Sequence, residues 1–107
     1  MKYSAVESSV FLADALVQKR DYKGAEQELE RTTPEAEKLD LRAALAQDQY
    51  LQGTALRLSG KGADAGSHYH EALRYLDEIK QDAGNDAVLQ RSDLNAIYTE
   101  SNRWSKG

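Results

Sequence analysis

From Ala63 to about Gln81 the apolar residues Ala65, Tyr69, Ala72, Leu73, Leu76 and Ile79 follow one another at helical spacing without a gap. That spacing places them all on one side of a helix. Upstream, Gly53 and Leu56 supply a small residue and a large one. Gly60-Lys61-Gly62 lies between the two stretches, where a chain can reverse. The run from Gln49 to Ile79 therefore reads as two helices folded back on each other. Small residues let the backbones approach, and large ones fill the space between them. It is an interlocking surface with no reactive chemistry in it.

The rest of the chain reads as helix too. Ser4 with Glu7 three residues later forms a capping box. Val6, Val10, Ala13, Leu16 and Val17 then share one face of a first helix, which Phe11 and Leu12 widen. Lys19-Arg20-Asp21 ends it, and a second helix over 22–31 turns Tyr22, Ala25 and Leu29 inward. Thr32-Thr33-Pro34-Glu35 has the form of a helix start, with a threonine cap and proline in the first turn. The third helix so begun has no break before Ser59-Gly60, apart from a bend allowed near Gln47–Gln49, where Asp48 interrupts the apolar stripe. Gly84 closes the fourth helix. Asn85 or Asp86 opens a fifth, carrying Val88, Leu89, Leu94, Ile97, Tyr98 and Trp104. One proline, few valines and isoleucines and no alternating stretch leave no strand, so the fold class is all-α with about five helices. At 107 residues this is a single domain, 1–107.

Offsetting the chain by 40 residues superposes Ala13 on Gly53, Leu16 on Leu56, Ala25 on Ala65 and Leu29 on Tyr69, small on small and large on large. Repeats of this period are usually helix pairs. With Ala72 and the turn at Gly60, these residues resemble the tetratricopeptide repeat family. Leu12 and Tyr22 add to the match in the earlier unit, while Leu94 and Tyr98 look like the start of an unfinished third. Units of about 4–33 and 46–82 follow, with a capping helix over about 86–104. The departures are Gln49 and Gln52 where the family has tryptophan and leucine, Asp77 for its closing proline, and a period longer than the usual ~34 residues.

The resemblance implies antiparallel helix pairs stacked as a short right-handed superhelix. The first helix of each unit would line a concave groove for a peptide or partner helix. Carried over by position, the lining is Glu7, Val10, Asp14, Val17 and Gln18 in the earlier unit, and Gln47, Tyr50, Thr54, Arg57 and Leu58 in the later one. The lysine and asparagine pattern with which some members grip a C-terminal carboxylate is missing. Tyr50 and Arg57 are residue types that anchor interfaces. If they face an open groove, Tyr50→Ala is expected to spare stability and weaken binding.

Reactive constellations are not apparent. His68 and His70 sit two apart and point to opposite sides of a helix, so they cannot chelate one ion together. Pairs such as Glu26/Glu30 and Glu35/Asp40 are what solvated helix faces contain, and no serine has a histidine partner in a familiar arrangement. Gly60-Lys61-Gly62 follows a helix and is too short for a phosphate loop. A net charge of −4 argues against nucleic acid. No stretch approaches a membrane span. The absence of cysteine removes disulfide and thiolate chemistry. The expectation is a protein-binding module without catalysis, cofactor or metal. Phe11, Leu12 and Trp104 are available for a homodimer. An alternative is a bundle holding a small apolar ligand or lipid in its core. No signal-peptide pattern is visible, which favours the cytoplasm; a periplasmic or secreted protein would need a leader already removed.

Overall fold

The computed structural model describes residues 5–84 and 92–105. The described residues form five helices: α1 (Ala5–Gln18), α2 (Tyr22–Lys38), α3 (Arg42–Leu58), α4 (Gly62–Ala83) and α5 (Ser92–Trp104). Among the described residues there is no strand. Ser4, Asn85, Asp86, Val88 and Leu89, which the sequence assigns to caps and to the fifth helix, lie outside the described residues.

A long third helix opening at Thr32–Glu35 does not form. Instead α2 runs through Pro34, and the break falls at Leu39–Leu41. The hydroxyls read as caps turn back onto their own helix: Thr32 donates to Glu28 O at 3.2 Å, and Thr33 to Leu29 O at 2.7 Å. Pro34 removes one N–H, and it lies on the exposed side of α2 where water can serve the carbonyl left over. The first helix pair therefore reaches Lys38, and the second starts at Arg42 rather than near residue 46. Helix α3 runs without a break through Gln47–Gln49.

One turn is used three times. Arg20, Asp40 and Gly60 adopt left-handed backbone, with φ of 66°, 52° and 90°. After each, the next N–H reaches back to a carbonyl one turn inside the helix: Asp21 to Leu16 O at 2.8 Å, Leu41 to Ala36 O at 3.0 Å, and Lys61 to Leu56 O at 2.8 Å. The left-handed residue itself donates to Val17 O, Glu37 O and Arg57 O respectively. This closes the spare carbonyls at each helix end and reverses the chain. The turns recur every 20 residues, so the 40-residue offset is the length of one helix pair.

Consecutive helices pack on one another, α1 also lies against α3, and α3 against α5. Among the described residues α2 and α4 do not pack together. Helix α3 is thus central, and every residue from Leu51 to Leu56 is buried. The small residues behave as their pattern predicts: Ala13, Ala25, Gly53 and Ala65 are all buried. A Cβ on Gly53 would lie 3.1 Å from the ring of Tyr69, so α3 and α4 meet there as closely as a side chain allows. Tyr69 is fully buried, but Tyr98, which the sequence sets among the apolar residues of the fifth helix, is 42% exposed. On the other side of α1, Ser9 donates to Glu28 at 2.9 Å, with Arg31 closing the group and tying α1 to α2.

Candidate functional site

The N-terminal halves of α1 and α3 leave an open cleft of about 530 Å³ between them, with Leu94 of α5 on its border. Val10, Phe11, Leu41, Ala44 and Leu94 give it an apolar surface. Glu7, Asp40, Arg42 and Gln47 supply its polar groups. Phe11 is 61% exposed on the α1 wall. The opposite wall follows from the second left-handed turn: with Asp40 at positive φ, Leu41 and the first turn of α3 swing into place beside α1.

The charges here are uneven. Arg42 is gripped by Asp40 through two contacts of 3.3 Å, by Glu78 at 3.7 Å and by Asp82. Asp40, through its hydrogen bonds and its charge, is the main reason the guanidinium is held even more firmly protonated than usual, with Asp82 and Glu78 adding to it. Three carboxylates surround Arg42, and of these Asp40 shares the cleft lining with it and with Glu7.

Of the residues that the sequence assigns to a groove, Glu7, Val10 and Gln47 come together at this cleft. Val10 contributes only its edge, since it is 3% exposed and belongs to the core. Asp14 is half-buried on α1, where Gln18 reaches it at 3.4 Å. Val17 is not open lining either; it packs in the core with Leu29 and Leu45.

The later half of the set is corrected more strongly. Thr54 is buried, bonded to Tyr50 O and to the Tyr69 hydroxyl, each at 2.9 Å. Arg57 Nε donates to the same hydroxyl at 3.1 Å, and its guanidinium lies over the Trp104 ring at 4.2 Å. Tyr50 meets Tyr69 edge-on, with ring centres 6.0 Å apart, and packs against three apolar clusters among the described residues. Burial raises the pKa of the Tyr50 hydroxyl. These side chains are spent on holding α3, α4 and α5 together, and Trp104 with them. Gln18 and Leu58 sit exposed near the ends of their helices.

Phe11, Leu41, Ala44 and Leu94 were visible in the sequence as apolar residues, but nothing there joined them into a wall. That required the turn at Asp40. A second opening of about 400 Å³ lies between α4 and α5, lined by His70, Leu73, Arg74, Asp77, Tyr98 and Asn102 among others. Its surface mixes charges of both signs, and Arg74 is already paired with Glu71 and Glu78. Among the described residues no group of three or more His, Cys, Asp or Glu side chains is placed to hold a metal ion, and no helix is long and apolar enough to cross a membrane. No family model, curated protein or solved structure matches the chain.

Proposed function

We propose that this is a non-catalytic protein-interaction module, built as tetratricopeptide-like helix pairs, that takes a peptide or partner helix in the α1–α3 cleft. The observation that carries the reading is the open apolar cleft with a largely exposed phenylalanine on one wall. The neighbour relations support the repeat architecture, since α1, α3 and α5 lie side by side as the first helices of successive units would. The occupant is a segment with one or two apolar side chains beside a lysine or arginine. Apolar groups fit the floor, and the carboxylates grouped around Arg42 at one end favour a cation over an acidic segment.

Selection of a random peptide library displayed on phage tests this, with Ala44→Arg as control. Ala44 is half-buried on the cleft wall, so an arginine there fills the opening and adds repulsion toward a basic ligand. Enrichment of apolar-plus-basic peptides that fail to bind the folded Ala44→Arg variant is the expected result. An absence of enrichment, or equal binding to the variant, refutes the reading. Self-association is a competing use of the same region, because Leu12 is 48% exposed next to Phe11. Sedimentation showing concentration-dependent dimers that Phe11→Ser abolishes would assign the face to a second copy instead.

A further inference from the structure

Asp48 is a carboxyl side chain with no exposed surface at all. It sits on α3 at the seam facing Thr33 of α2, and its hydrogen-bond partners among the described residues are both neutral. Its Oδ1 accepts from Gln52 Nε2 at 2.6 Å, and its Oδ2 lies 2.6 Å from Thr33 Oγ1. Thr33 Oγ1 also lies 2.7 Å from Leu29 O.

A threonine hydroxyl has one proton to give. A backbone carbonyl has none, and neither has an ionised carboxylate. With Asp48 charged, one of those two short oxygen–oxygen contacts would bring lone pairs together without a hydrogen between them. With one proton on Oδ2 the count closes: Asp48 donates to Thr33, Thr33 donates to Leu29 O, and Gln52 donates to Oδ1. The 2.6 Å distance suits an O–H···O bond.

We propose that Asp48 is held in the folded protein as a neutral carboxylic acid, and that its ionisation as pH rises loosens the joint between α2 and α3. Glu37 from α2 and His68 from α4 are the charged or chargeable groups acting on it from neighbouring helices. Glu37 opposes ionisation. His68, whose Nδ1 is engaged with Gln49 Oε1 at 2.8 Å, favours it when protonated. Burial outweighs the rest and pushes the carboxyl above its ordinary range. The joint continues along α2 into the turn at Asp40, which forms a wall of the cleft, although the inference does not depend on what the cleft binds.

The direction of the effect follows from linkage. An aspartate in the unfolded chain titrates near ~3.9. If the folded value is higher, the folded state holds the proton more tightly. The associated stability is complete below the unfolded value and is lost as pH climbs through the folded one. Thermal melts of the parent and of Asp48→Asn from about pH 4 to about pH 8 test this. Asparagine reproduces the neutral acid, with Nδ2–H toward Thr33 and Oδ1 toward Gln52. The two proteins should melt alike at the acid end, with the parent falling progressively behind as pH rises. A gap that does not change with pH, or a parent that gains on the variant, overturns the proposal. Carbon-13 NMR of the Asp48 carboxyl in the unmodified protein gives a second reading should the variant not fold. Titration above the ordinary range supports the neutral acid, and a midpoint at or below it refutes it.

Discussion

Replacing Gly53 with alanine adds a single methyl group where α3 crosses α4, and its effect can be worked out from both sides. The new carbon would lie 3.1 Å from two atoms of the Tyr69 ring and 3.2 Å from a third. The ring has no room to retreat: Tyr69 is fully buried, and its hydroxyl is fixed by Thr54 at 2.9 Å and Arg57 at 3.1 Å. Overfilling a packed site of this kind costs about 1–3 kcal/mol. Against that, alanine is the better helix former by about 1 kcal/mol. The net expectation is a loss of about 0–2 kcal/mol. Gly66→Ala is the matched control inside α4. There the added carbon meets only Ser105 O and Trp104 O, both at 3.9 Å, an ordinary contact. That variant should gain about 1 kcal/mol. For a domain of this size each kcal/mol moves the melting temperature by about 4–8 °C, so the two variants should separate clearly by circular dichroism. If Gly53→Ala stabilises as much as Gly66→Ala, the close approach of α3 and α4 is wrong.

Arg20→Gly should stabilise the protein by up to about 1 kcal/mol in urea titrations, because an L side chain is strained at the φ of 66° found there. Asp40→Gly should gain less, since it also removes contacts to Arg42. Tyr50→Ala, contrary to expectation from the sequence, should cost about 2 kcal/mol or more through lost packing against three clusters, and an unchanged melt would refute that role. Ser101→Ala should raise stability by about 1 kcal/mol, since its hydroxyl is buried with no hydrogen-bond partner among the described residues. A drop in melting temperature would reveal a partner for it.

What the sequence made legible was whatever a single helix can carry within itself. The stripe from Ala65 to Ile79, the reversal at Gly60 and the buried small residues at 13, 25, 53 and 65 all express one-dimensional periodicity, and all appear in the fold. The turn at Asp40 was hidden because no glycine marks it, while Thr32-Thr33-Pro34 imitated a helix start well ahead of the real one at Arg42. A threonine hydroxyl serves equally well to cap a new helix or to bond back into its own, and only the surrounding packing chooses between them. Asp48 likewise looked like an interruption of the apolar face. Its partner Gln52 is one turn along the same helix, but Thr33 lies across the hidden turn, so that contact exists only once α2 and α3 are antiparallel. The cleft was half visible for the same reason: Glu7, Val10 and Gln47 belong to it, whereas Tyr50, Thr54 and Arg57 were drawn inward by Tyr69 and Trp104.

The even spacing of the left-handed residues at 20, 40 and 60 has an evolutionary and engineering corollary. Inserting one amino acid within a single helix would rotate everything beyond it by about 100°, throwing the downstream small residues off their partners. Copying a whole block of residues 22–61 in tandem would instead preserve phase at both seams, since the block starts and finishes just past equivalent reversals. A scaffold of this kind grows or shrinks by whole hairpins and resists change in single-residue steps.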